Sequence, residues 1–247
     1  MFSEFSINNP WLIGAGVNSF LLAIALITPK KLLTLAGLAN AWLLGVIIWA
    51  TLGLPGYVVV MFYFLVGSGV TRIGMAQKEA EGIAEKRSGA RGPENVWGSA
   101  LVGAICALAT LWLEADWLLL LGYVASFSTK LSDTTASEIG KAYGQRTFLI
   151  TTLQCVPRGT EGAVSLEGTL AGIVASAVIA LVGWGVGLIT PMGIIYCVIA
   201  AFVATTLESL IGATVQSKFT WLTNELVNVI NTFLGAAIAI FLVYVNG

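Results

Sequence analysis

Histidine is missing from this chain altogether, and charge of either sign is scarce: 10% of its residues are Asp, Glu, Lys or Arg, against roughly 25% in ordinary soluble domains. Without imidazole there is no Ser-His-Asp triad, no Cys-His dyad and no ready base near neutral pH, and the commonest zinc ligand is gone. So little charge beside 57% hydrophobic residues and a mean hydropathy of +0.89 excludes a soluble fold. Cys106, Cys155 and Cys197 stand far apart, two of them inside apolar segments. They signal neither a Cys-x-x-Cys metal site nor a disulfide framework, and read as packing residues. A formal charge of −1 with no dense Lys/Arg run excludes a nucleic-acid surface. No P-loop, dinucleotide fingerprint, low-complexity tract or internal repeat is present.

What the chain does have is apolar stretches in close succession. That is the pattern of an all-α polytopic membrane bundle rather than the alternation of a barrel, and residues 1–247 read as one membrane domain. Windows of roughly 17–25 apolar residues can cross the hydrocarbon core. Eight are found: Pro10–Thr28, Leu32–Leu52, Pro55–Thr71, Trp97–Leu113, Trp117–Leu131, Leu166–Ile189, Met192–Ile211 and Leu226–Val245. The first is expected to remain as a span, since no basic residue precedes it and no polar stretch follows. Trp11, Trp42, Trp97, Trp112, Trp117 and Trp221 fall near span ends, where indole rings favour the interface.

Basic loops are held on the cytoplasmic side. With the N-terminus outside, eight spans place all twelve Lys and Arg on the inner face and leave only Glu4, Glu114 and Asp116 as charges outside. Three inner segments result. Arg72–Val96 reads as a short solvated helix and a loop, with Glu79, Glu81 and Glu85 pairing locally with Lys78, Lys86 and Arg87. Thr129–Glu167 holds most of the unusual polarity, and Gly212–Glu225 links the last two spans.

The fifth apolar segment is short, so its helix is expected to continue into Lys130-Leu-Ser-Asp133-Thr-Thr-Ala-Ser137-Glu138-Ile-Gly-Lys141. Lys130, Asp133, Ser137 and Lys141 would then share a face. Asp133 and Glu138 would lie roughly 140° apart at about 100° per residue, so both could hold one ion only if the helix unwound. A second cluster, Arg158-Gly-Thr160-Glu161-Gly162-Ala-Val-Ser165-Leu-Glu167, leads into the sixth span, where free N–H groups and the helix dipole favour a phosphate. Magnesium would bridge a polyphosphate to the carboxylates. Asn224, Asn228 and Asn231 form a polar stripe on the last span, either interhelical glue or a wall of the site, and Glu208 sits near the inner end of the seventh. Taken singly, Lys141, Arg146 or Lys218 reads as a headgroup-facing anchor. Together, carboxylates, hydroxyls and glycines beside membrane helices read as a site, because ionisable groups at such depth are costly.

These motifs carry a resemblance. The stretches Gly67–Ala100, Ser132–Lys141 (SDTTASEIGK), Arg158–Gly172 (RGTEGAVSLEGTLAG) and Leu207–Gln216 resemble the integral membrane family that includes plant and cyanobacterial phytyl-phosphate kinases. The Glu-Gly-Ala-Val-Ser form at Glu161–Ser165 is similar to the kinase group. The arrangement is more distantly similar to CTP-dependent dolichol and phytol kinases and CDP-diacylglycerol synthases, which bind CTP and divalent metal on the cytoplasmic side. The resemblance implies phosphorylation of phytyl phosphate to the diphosphate, with CTP and Mg²⁺, for tocopherol and phylloquinone synthesis in a plasma or thylakoid membrane.

It also implies a site. Asp133, Glu138, Glu161 and Glu167 would be the metal ligands, with Asp133 and Glu161 foremost. Ser137, Thr160, Gly162 and Asn228 would hold nucleotide and phosphate, and Lys78, Arg91 and Asn95 the substrate phosphate. Lys130, Lys141, Arg158 and Ser165 would stand at the transferred phosphoryl group. The expected partners are an isoprenoid monophosphate, a nucleotide and the lipid bilayer, not nucleic acid, and an oligomer stays open. Two other readings remain: a cytidylyltransferase with the same nucleotide site, and a transporter of an anionic lipid or metabolite. The short, nearly uncharged outer connections weigh against the transporter.

Overall fold

Asn9, Thr34, Ser165 and Thr190 each accept a backbone N–H two or three residues on, satisfying donors that a helix start leaves free. Pro10, Pro93 and Pro191 stand at first helical positions, where a missing N–H costs nothing. The computed structural model describes residues 9–29, 31–113 and 116–246. Glu4, Lys30 and Glu114, used in the charge pattern, lie outside the described residues. The helices are α1 (Pro10–Ile27), α2 (Leu35–Thr71), α3 (Met75–Ala80), α4 (Pro93–Ala109), α5 (Asp116–Tyr143), α6 (Leu166–Gly185), α7 (Pro191–Thr214) and α8 (Asn224–Asn246). Strands β1 (Thr147–Leu149) and β2 (Ala163–Ser165) pair antiparallel, Thr147 opposite Ser165.

The chain is an all-α membrane protein: α1, α2, α6, α7 and α8 are each long and apolar enough to cross a bilayer. The 37 residues of α2 would make a rod about 55 Å long at 1.5 Å per residue, well beyond the roughly 30 Å hydrocarbon core. It is instead a hairpin of two arms turned at Gly53, whose φ of 59° is left-handed, with Pro55 just beyond. Leu38 and Gly45 of one arm face the same cavity as Tyr57 and Phe64 of the other. At the open end the Arg72 guanidinium donates to the Lys31 carbonyl at 3.0 Å. The two spans expected there are therefore separate, antiparallel passes. The fourth helix starts at Pro93, four residues before the expected Trp97, because Asn95 reaches back to accept the Gly92 N–H.

Helix α5 is the axis of the bundle. It packs against α2, α4, α6, α7 and α8, and every residue from Leu121 to Asp133 is buried. Its partners approach through small residues: α6 sets Gly168 and Gly172 against the carbonyls of Ala136 and Ser132, and α8 sets Gly235 against Thr129. A Cβ on Gly172 would stand 2.9 Å from the Ser132 oxygen, whereas one on Gly185 would meet nothing within 4 Å. Gly172→Val is therefore expected to destabilise the bundle by about 1–3 kcal/mol through overpacking. Gly185→Ala should be neutral, and thermal unfolding in detergent compares the two.

Candidate functional site

Where α5 leaves its enclosed stretch, a polar cavity of about 730 Å³ opens at one end of the bundle. The helix runs unbroken to Tyr143, as its short apolar segment implied, so Lys130, Asp133, Ser137 and Lys141 do share a face, and all line the cavity. The Lys130 ammonium donates to Asp133 Oδ2 at 2.6 Å and to Asn228 Oδ1 of α8 at 2.7 Å. Glu208 of α7 faces the same Asp133 carboxylate. Carboxylates brought to one cavity raise the cost of charging each other, and a cation among them offsets that cost.

The loop between β1 and β2 forms a second wall. Gly162 adopts a left-handed φ of 73°, and a Cβ there would stand 2.6 Å from the Ser209 carbonyl, so the Glu161-Gly162 turn presses directly on α7. Thr160 braces the turn by donating to the Pro157 carbonyl at 2.7 Å. Glu161, Thr160 and Gly162 thereby join α5 at the cavity. Ser165 also borders it, but its hydroxyl is committed to capping α6, accepting the Gly168 N–H at 3.1 Å. Arg91 and Asn95 line the cavity as well.

Several expected residues lie elsewhere or are differently engaged. Lys78 is 0% exposed and donates to the Thr71 carbonyl and to Glu138. It is absent from the cavity wall, so it anchors Glu138 rather than a substrate phosphate. Glu138 touches the cavity, yet its carboxylate lies between Lys78 and Lys141, the latter at 3.3 Å. The straight helix keeps it turned from Asp133, so the two do not form one metal site. Glu167 stands outside the wall, where it accepts the Gln145 N–H at 3.3 Å. Arg158 is also outside, bound to Glu81 at 2.6 Å. Of the Asn stripe, Asn224 and Asn228 reach the cavity, while Asn231 is buried with neither amide atom partnered among the described residues.

None of the expected local ion pairs forms among the described residues. Glu81 meets Arg158, Glu85 meets Lys141 and Arg87 meets Glu94, while Glu79 accepts from Ser88. Helix α3 lasts only six residues between left-handed glycines at 74 and 82, and its i,i+4 contact joins Glu81 to the Gln77 amide at 2.8 Å, not to a lysine or arginine. The segment folds back over the end of α5 instead. Glu208 joins the site, and its signal was a carboxylate inside an apolar span. Tyr63 and Ser99 also line it, and nothing in the sequence set them apart from ordinary span residues.

Among the described residues no three His, Cys, Asp or Glu side chains stand close enough to hold a metal by themselves. Magnesium, however, takes one or two carboxylates and completes its shell with phosphate and water. Asp133 with Glu208 fits that demand, and Glu161 lines the same cavity.

Residues 18–236 match the family described as Integral membrane protein DUF92. The chain belongs to this family. It is 70% identical over 233 residues to an uncharacterized membrane protein of Synechocystis sp. (strain ATCC 27184 / PCC 6803 / Kazusa), covering 94% of this chain and 90% of that relative. To the chloroplastic protein VTE6 of Arabidopsis thaliana it is 50% identical over 216 residues, 85% of this chain and 65% of VTE6. To an uncharacterized membrane protein of Methanocaldococcus jannaschii it is 31% identical over 218 residues, 88% of each chain. No solved structure matches.

The Lys78–Glu138 pair supplies a test of how the site is held. Glu138→Gln strands a buried ammonium and is expected to cost about 3–5 kcal/mol, whereas Lys78→Met with Glu138→Met should restore most of it. Thermal unfolding of the single and double variants reads the difference.

Proposed function

We propose that this family member is a phytyl-phosphate kinase, adding a second phosphoryl group to an isoprenoid monophosphate at the membrane surface. The observation that carries the proposal is the convergence of both motifs, SDTTASEIGK and the Thr160-Glu161-Gly162 turn, on one polar cavity at one end of the bundle. The 50% identity to VTE6 supports a kinase role of that kind in a membrane protein.

In the proposed step a phosphate oxygen of the acceptor attacks the γ-phosphorus of a nucleoside triphosphate, which we take to be CTP. The bond from that phosphorus to the β,γ-bridging oxygen breaks, and the nucleoside diphosphate leaves. No base is needed, since the second ionisation of a phosphate monoester falls near pH 6, and the acceptor is already a dianion at neutral pH. The absence of histidine is then no handicap. What such transfer asks for is position and charge neutralisation. Lys130 and Lys141 supply cations at the cavity wall, and Ser137 and Thr160 supply hydroxyls. Asp133, Glu208 and Glu161 would hold magnesium, which when bound would offset the charge of the polyphosphate. Arg158, tied to Glu81, braces the turn rather than meeting the transferred group. Relatives from a cyanobacterium and a chloroplast support a thylakoid setting, and the retention of basic loops on the inner side would turn the basic end to the cytoplasm or its plastid counterpart. The product would feed tocopherol and phylloquinone synthesis.

Purified protein given phytyl phosphate, CTP and Mg²⁺ should release CDP, and ATP in place of CTP should support less turnover. Release of pyrophosphate would show cytidylyl transfer instead. Asp133→Asn and Glu161→Gln should each lower kcat by about 100-fold or more, on the scale of losing one charge-stabilising group. Full turnover in either variant would sink the assignment of that carboxylate.

A further inference from the structure

Beside the polar cavity lies a second one of about 270 Å³, walled almost wholly by apolar side chains of α1, both arms of α2 and the start of α4. The two adjoin: Tyr63, Arg91, Asn95 and Ser99 line both. Arg91 stands at the junction. Its guanidinium donates to the Tyr63 hydroxyl at 2.7 Å and lies 5.2 Å from the centre of that ring. Among the described residues it meets no carboxylate. Its backbone is clamped on both sides, the N–H to the Leu32 carbonyl at 2.9 Å and the carbonyl to the Thr34 N–H at 3.0 Å. A rigidly held cation without an anion, at the mouth of an apolar slot, matches a ligand with an anionic head and a hydrocarbon tail.

The slot also has a depth and a floor. Along α1 it runs from Thr28 to Asn18, about 15 Å at a rise of 1.5 Å per residue. At the far end the Tyr57 hydroxyl donates to Asn18 Oδ1 at 2.8 Å, and the Asn18 amide donates to the Gly14 carbonyl at 2.9 Å. This pair closes the slot with groups whose hydrogen bonds are already made.

We propose that this slot is the tail site of the acceptor: the isoprenoid chain enters at Arg91, which meets its phosphate, and runs between α1 and the arms of α2 to the Asn18–Tyr57 floor. The proposal rests on the acceptor being an isoprenoid monophosphate. It adds where the tail binds and which residues read its length. A short-chain monophosphate would share the head contacts at Arg91 without reaching the floor, so discrimination by length resides in the slot.

A phytyl monophosphate carrying a diazirine in the middle of its tail tests this without requiring turnover. Irradiation of the full chain in nanodiscs, followed by peptide mapping, should place the label on the Asn18–Thr28 or Leu38–Phe64 segments, and unlabelled phytyl phosphate should displace it at least tenfold better than phytol. Label confined to the outer faces of α6 and α7, or displaced equally by phytol, overturns the proposal. Labelled slot without any CDP release would refute the kinase and leave the slot standing; CDP release with label only on outer faces would do the reverse. In the active protein, Ala41→Phe, which narrows the slot, should raise KM for phytyl phosphate at least tenfold and leave geranyl phosphate unchanged. Equal effects on both acceptors would count against length reading.

Discussion

Everything at the polar end depends on the enclosure of α5. A lysine and an aspartate one helical turn apart could not stand on a lipid-facing helix without a large desolvation cost. Here five helices exclude lipid from the stretch Leu121–Asp133. The Lys130 ammonium finds Asp133 and Asn228 within 2.7 Å. Glycines at 168, 172 and 235 let the neighbouring backbones come close enough to complete that wall. The same enclosure makes the helix look weak as a membrane segment, because its polar residues face protein rather than lipid.

Charge then organises what lies above the bundle. The segment between α2 and α4 has too few apolar residues to pack by itself, yet it is fastened over α5 by Lys78–Glu138, Lys141–Glu85 and Arg158–Glu81. The first pair is buried, and a buried pair is strongly destabilised when one partner is lost; the other two are partly exposed and contribute less. Through these contacts residues far apart in sequence become the two sides of one cavity, and Arg91 comes to stand between a polar and an apolar compartment.

The apolar spans were legible because the hydrocarbon core demands a minimum length and tolerates little charge. The face shared by Lys130, Asp133, Ser137 and Lys141 was legible from helical period alone, as was the extension of α5 beyond its apolar part. Pairings were not. Glu79, Glu81 and Glu85 lie beside basic residues in sequence, and nearness along the chain suggested local ion pairs. The helix instead spans only Met75–Ala80 between left-handed Gly74 and Gly82, and Glu81 and Glu85 reach the distant Arg158 and Lys141 while Glu79 accepts from Ser88. Glu167 and Arg158 belong to the motif in sequence yet stand outside the cavity, because the start of α6 and the base of the loop turn them away.

Composition and period were enough to show an all-α integral membrane protein whose basic residues gather at one end and which has no histidine to offer. Those are consequences of composition and period, which the bilayer reads directly. Which charges are struts and which line the cavity depends on the folded arrangement of the helices. A buried ammonium and a cavity-lining one are the same residue in one dimension, and their difference lies in which partners the folded backbone brings within hydrogen-bond reach.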